Sequence, residues 1–225
     1  MKLIIDDANI DSIKRIYEYY PVSGVTTNPS ILFKTGRKPF DVLKEIREVI
    51  GDDAELHVQV ISKNADGMVS EAQKIAGELG GNTFIKIPAT EEGLKAIKFL
   101  SAMQIKTTAT AIYAPMQGYL AGLCGASYAA VYVNRIDNLG YDGIKVACDI
   151  HDMFKTNEMS CQVLGASFKN SYQVLSLCKH GVGSATLAPD IFKGLVSNAS
   201  VDKAVNDFIA DFEKLAGEDK TMMDC

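Results

Sequence analysis

Eight short apolar runs, each followed by a longer amphipathic stretch, leave this chain few ways to fold. The runs are KLIID, GVTTN, LHVQV, TFIKIP, KTTATAIY, AAVYVNRI, CQVLGAS and SATLAP. Their length and β-branched content are those of strands buried on both faces. The stretches between them, such as PFDVLKEIREVIG and NADGMVSEAQKIAGEL, space their apolar residues as one face of a helix. Helix start signals agree: Asn64 or Asp66 before the helix that follows the third run, and Thr90 before the next. Glu91 and Glu92 then sit in the first turn, where the positive helix end favours acids. Strict alternation of strand and crossover helix requires a parallel sheet. Eight repeats in 225 residues fit a closed (β/α)8 TIM barrel near its lower size limit. One extra helix, VDKAVNDFIADFEKLAG, follows the eighth pair. The expected domain is a single barrel over residues 1–217 including that helix, with a polar tail at 218–225. An open doubly wound sheet is the alternative, but no GxGxxG or Walker sequence follows any strand.

Composition narrows the function. The net charge of −5 gives no global basic field, so neither nucleic acid nor an anionic membrane surface is an expected partner. No run of 18 apolar residues marks a membrane span. The first ten residues, MKLIIDDANI, turn acidic too soon for a signal peptide, so a cytoplasmic location is expected. Five cysteines are scattered without a CxxC pair, which suggests neither a disulfide framework nor a zinc site. Cys124, Cys148, Cys161 and Cys178 read as buried thiols, and Cys225 lies on the tail.

Lys86 is the anomaly. It interrupts TFIKIP, and in a barrel both faces of a strand are dry. Burial disfavours the ammonium form, and a neutral amine attacks carbonyls to form a Schiff base. The plainer reading is a buried lysine whose head pairs with a carboxylate. Other polar residues stand at corresponding strand ends: Asp6; Thr26, Thr27 and Asn28; Gln59; Thr110; Tyr132, Asn134 and Arg135; and Ser167. Singly they mean little, and Asp6 alone would pass for a helix cap. Together they converge on the barrel face that carries active sites. Arg135 can clamp a phosphate beside the Ser167 hydroxyl, or else form an ion pair with Asp137 or Asp6. His57 has no carboxylate or cysteine at ligand spacing, so no metal is expected. His151 and His180 read as helix-surface residues. No GxSxG elbow suggests a serine hydrolase.

The stretches GVTTNPSIL, IKIPATEEGLKAIKFL, TATAIYAPMQG, YVNRIDNLGYDGI and LGASFKN resemble the small transaldolase family, and within it the fructose-6-phosphate aldolase branch. The resemblance runs from the first strand to about Gly217. It implies a (β/α)8 barrel that uses Lys86 as the Schiff-base lysine and Asp6 on the substrate hydroxyl next to the breaking bond. It also implies Asn28 as a substrate contact, Thr110 as part of a water site, and Arg135 with Ser167 as the phosphate site. Thr26 stands beside these as a further substrate-binding candidate. Family members of this size use no cofactor and no metal, and assemble as pentamers or paired pentamers. Gln59 and Tyr132 stand where transaldolases carry Glu and Phe, and TAIYA lacks the Asn that transaldolases place after the aromatic residue. These three positions resemble the aldolase branch. Asp7, in place of the usual Thr, and Pro115 with Met116 depart from the family pattern.

The expected reaction is Schiff-base cleavage or formation of fructose 6-phosphate, from dihydroxyacetone and glyceraldehyde 3-phosphate. A transaldolase of the pentose phosphate pathway, passing the dihydroxyacetone unit between sugar phosphates, is the alternative. A silent sugar-phosphate-binding barrel would keep Arg135 and Ser167 but have no need of Lys86. A phosphosugar isomerase would want a glutamate that the strand ends lack.

Overall fold

A computed structural model describes residues 1–225. Eight parallel strands close into a ring in chain order: β1 (Lys2–Asp6), β2 (Gly24–Thr26), β3 (Glu55–Gln59), β4 (Thr83–Pro88), β5 (Thr107–Ile112), β6 (Tyr128–Tyr132), β7 (Gln162–Ala166) and β8 (Ser184–Leu187). β8 pairs back onto β1, with Lys2 opposite Ser184 and Ile5 opposite Leu187. The fold is a (β/α)8 barrel.

Eleven α-helices accompany the strands: α1 (Ile10–Tyr19), α2 (Pro29–Lys34), α3 (Pro39–Ile50), α4 (Ala65–Leu79), α5 (Glu91–Ala102), α6 (Pro115–Leu123), α7 (Val133–Asp137), α8 (Gly143–Thr156), α9 (Ser171–His180), α10 (Pro189–Val196) and α11 (Ala199–Ala216). Two of these, α2 and α7, lie beyond the sequence expectation. α2 arises because Asn28 caps it through Ile31 N and Pro29 presets its first turn. α7 corrects the sixth run. AAVYVNRI reads as one strand, but the ladder stops at Tyr132, and Val133 and Ile136 bury themselves at helical i, i+3 spacing. Asn134 and Arg135 are therefore helix residues, not strand-end residues. The expected caps are in place: Asn64 accepts from Gly67 N, and Thr90 from Gly93 N.

Ile4, Phe84, Tyr128, Ala130 and Leu164 form an apolar cluster inside the barrel. β2 comes close to β3 because position 24 is glycine: a Cβ there would stand 2.1 Å from the Glu55 carbonyl oxygen. Cys161 is buried and Cys124 and Cys148 partly so. Cys178 is exposed, contrary to expectation, because Val174 and Leu177 take the inward face of α9. No helix is long and apolar enough to cross a membrane.

The chain divides into two compact units, Met1–Phe192 and Lys193–Cys225; the domain read from sequence extended to residue 217. The second unit is mostly α11, capped by the Asn198 side chain on Ser200 N. Val201, Val205, Phe208 and Ile209 make an exposed apolar stripe along it. The tail ends in a 3-10 turn, Met222–Asp224, in which Thr221 and Asp224 cap each other.

Candidate active site

Lys86 lies in the barrel interior at 5% exposure. Its register partners are Gln59 on β3 and Thr108 on β5. Its Nζ donates to the Thr27 carbonyl oxygen at 2.8 Å and forms no ion pair with any carboxylate. The plainer reading of a carboxylate-paired lysine is thus not what the geometry gives. Burial pushes the amine pKa down. The Asp6 carboxylate opposes that shift, and the Arg135 cation adds to it.

Asp6 closes β1 and is free to serve the site because Asn9, not Asp6, caps α1. The Thr26 hydroxyl donates to Asp6 Oδ1 at 2.7 Å and lies 2.6 Å from Thr186 Oγ1. With Thr26 donating to the carboxylate, Thr186 must donate to Thr26, which fixes the order of the three groups. The neighbouring Asp7 turns away: its Oδ1 accepts from Ala8 N and Asn9 N at 2.8 and 3.2 Å. It does locally what a threonine would do in the same turn. Asn28 spends its Oδ1 on Ile31 N at 3.0 Å, which anchors the residue at the rim.

On the opposite side, Thr110 Oγ1 and Tyr132 Oη are 3.0 Å apart. A break in the β5–β6 register between Ala109 and Ile112 accompanies this pair, and Ala111 adopts φ +56 within it. Such a bulge re-aims neighbouring side chains. Gln59 makes no side-chain hydrogen bond and is not joined to Thr110 or Tyr132; it borders an apolar cavity of about 700 Å³ with Leu32, Phe33 and Ile61. A polar cavity of about 660 Å³ adjoins Asp6, bordered by Lys14, Lys34 and Arg37 and equally by Asp7, Asp11 and Glu45.

Arg135 forms no ion pair. Asp137, one of its expected partners, accepts from Gly143 N at 2.8 Å and from Gln173 Nε2 at 2.6 Å. Arg135 instead lies over the Tyr132 ring, 4.5 Å from its centroid. Ser167 follows β7 directly with φ +59, a strained conformation for a non-glycine residue. Its carbonyl oxygen accepts from Asn134 N at 3.0 Å, so the helix α7 that bears Arg135 is tied to the segment bearing Ser167.

Taken together, this rim offers an amine, a carboxylate, a hydroxyl pair and an unpaired cation. A family model described as transaldolase/fructose-6-phosphate aldolase matches residues 3–224. The chain belongs to the transaldolase/fructose-6-phosphate aldolase family. That family is enzymatic, and its chemistry is of the Schiff-base aldolase or transaldolase type. The transaldolase/fructose-6-phosphate aldolase match runs through the tail to residue 224, past the Gly217 limit read from motifs.

Three participants escaped the sequence reading. Thr186 lies mid-strand on β8 and is brought to Thr26 only by barrel closure. Gln173 on α9 takes up Asp137 and so leaves Arg135 unpaired. Glu55 contacts His57, the residue read as having no carboxylate neighbour, with 3.3 Å between Oε2 and Nε2. The signal for this last pair was present: residues i and i+2 share a strand face. No group of three His, Cys, Asp or Glu side chains is placed to hold a metal.

Proposed function

We propose that the chain is a Schiff-base aldolase that cleaves and forms fructose 6-phosphate, working on sugar phosphates without a cofactor. The observation that carries this reading is a buried Lys86 amine with a carbonyl oxygen for its partner and no carboxylate bound to it. Such an amine spends part of its time neutral, with its lone pair available.

Lys86 Nζ adds to the ketone carbon of the sugar and water leaves, giving an iminium. The iminium draws electrons from the C3–C4 bond. Asp6 takes the C4 hydroxyl proton, directly or through a water held by Thr110 and Tyr132, and the bond breaks. Glyceraldehyde 3-phosphate departs, its phosphate held by Arg135 and Ser167, while Thr26 and Asn28 hold the donor side. Protonation of the remaining enamine and hydrolysis of the iminium then free dihydroxyacetone and restore the amine. The unpaired state of Arg135 suits an anionic substrate.

A transaldolase is the second reading, and the Tyr132 hydroxyl is the observation against it. A hydroxyl 3.0 Å from Thr110 can relay a proton or orient the water that ends the cycle by hydrolysis. Fructose 6-phosphate offered without an acceptor tests the choice. Free dihydroxyacetone and glyceraldehyde 3-phosphate in equal amounts are expected. Turnover only after erythrose 4-phosphate is added would assign the enzyme to transfer.

A further inference from the structure

Beneath Lys86 the barrel interior holds a line of polar groups that the scheme above leaves unused. It begins at the N-terminal mouth with Lys2, whose ammonium donates to Glu55 Oε1 at 2.8 Å and to Tyr128 Oη at 3.3 Å. The Tyr128 hydroxyl donates to the same Glu55 oxygen at 3.0 Å. The other carboxylate oxygen, Oε2, lies 3.3 Å from His57 Nε2. His57 Nδ1 lies 2.8 Å from Thr108 Oγ1. The imidazole is wholly buried, and Phe84 stacks on it with ring centroids 4.6 Å apart and planes 9° from parallel.

These partners determine where the ring proton sits. A carboxylate only accepts, so Nε2 carries the hydrogen; Nδ1 is then an acceptor, and the Thr108 hydroxyl donates to it. A neutral ring satisfies every group in the line. A second proton would reverse the bond to Thr108, leaving the hydroxyl to accept and its own hydrogen to find another partner, and would place a cation inside the barrel. His57 is the register partner of Phe84, and Gln59, two residues on, is the register partner of Lys86. His57 therefore sits one interior layer below the amine, on the same strand face as Gln59.

We propose that His57 is a positioning residue for Lys86: a neutral imidazole, fixed as its Nε2–H tautomer between Glu55 and Thr108, that keeps a second cation out of the layer under the reactive amine. The inference rests on Lys86 being the Schiff-base amine. The charged and titratable groups that face the ring are Glu55 from its own strand, Lys2 from β1, Lys86 from β4 and Tyr128 from β6. β5 supplies the uncharged Thr108, and β2, β7 and β8 carry no titratable side chain. Burial is the main influence holding the His57 pKa below the ordinary histidine range. Glu55 opposes it, and the Lys86 and Lys2 charges add to it. Linkage is reciprocal: a cation at Lys86, ammonium or iminium, resists protonation of His57, and a protonated His57 resists the iminium equally.

The chain has three histidines, so ring nitrogen signals in a nitrogen-15 NMR titration can be assigned by replacing His151 and His180 singly. His57 should show the Nε2–H tautomer at pH 7. Lys86→Met should raise its titration midpoint by at least half a pH unit, about threefold in proton affinity. In borohydride trapping with dihydroxyacetone, His57→Gln, which bonds but does not titrate, should move the acid limb of adduct formation downward by a similar amount. An unmoved midpoint in Lys86→Met, a proton on Nδ1, or an unmoved acid limb in His57→Gln overturns the proposal while leaving the Schiff base intact. Absence of any adduct on Lys86 in the unaltered enzyme overturns the Schiff-base reading itself, and the positioning role with it.

Discussion

Tyr132 has two contacts that bear on the fate of the enamine. Its hydroxyl meets Thr110 and its ring supports the Arg135 guanidinium. Phenylalanine keeps the second and loses the first. Tyr132→Phe is therefore expected to shift partition from free dihydroxyacetone toward transferred product by roughly tenfold or more, with little loss of phosphate-ester affinity. An unchanged product ratio in the presence of an acceptor aldehyde would remove the hydroxyl from the mechanism. Glu55 gives a second test through stability. Burial works against its charge, but hydrogen bonds from His57 and Lys2 outweigh that and hold its pKa down to about 2, from an ordinary 4.5. Between these values the unfolded chain binds more protons than the folded one. The stabilisation is thus complete above about pH 4.5 and lost as pH falls toward 2. Glu55→Gln should cost about 1–3 kcal/mol at pH 7 and much less at pH 3, read from urea unfolding at the two pH values. At this scale, sequence revealed residues that contradict their own surroundings. Lys86 in an apolar strand and Asp6 at the end of another stand out without a structure. Thr186 and the Glu55–His57–Thr108 line do not, because a threonine in a strand is ordinary and cross-strand partners depend on register.

Among the elements, boundaries near the rim diverge most from the sequence expectation. The α7 segment keeps the apolar content of a strand, so VNRI extends β6 on paper; only burial of Val133 with Ile136 reveals one turn of helix. The bulge in β5 left no local mark, since alanine at position 111 gives no hint of φ +56. The strands and long helices, whose periodicity persists over many residues, were legible. Two glycines in helices permit a paired test. In α5, a Cβ on Gly93 would stand 1.8 Å from the Pro88 carbonyl oxygen, at the end of the strand that carries Lys86. In α4, a Cβ on Gly77 meets no atom within 4 Å. Gly77→Ala should stabilise by about 0.5–1 kcal/mol, through helix propensity and a less flexible unfolded chain. Gly93→Ala should destabilise by about 1–3 kcal/mol and slow adduct formation at Lys86, since the end of β4 must shift to admit the methyl group. Thermal unfolding with borohydride trapping separates the two effects.

For the whole molecule, the family match reaches nearly end to end and agrees with the architecture that alternation alone implied. The stripe of Val201, Val205, Phe208 and Ile209 on α11 is exposed, which fits the oligomer that the family resemblance implies. Phe208, at 72% exposure, is its largest member. Phe208→Glu should shift the population to smaller species in light scattering, without loss of helical signal; an unchanged mass would place the interface elsewhere. The β1–β8 seam constrains any such assembly. A hoop of strands presents no open edge for another chain to extend, so copies cannot join strand to strand and must meet through helices and loops. If that seam parts, two raw margins are bared at once, and the danger becomes runaway stacking of strand upon strand.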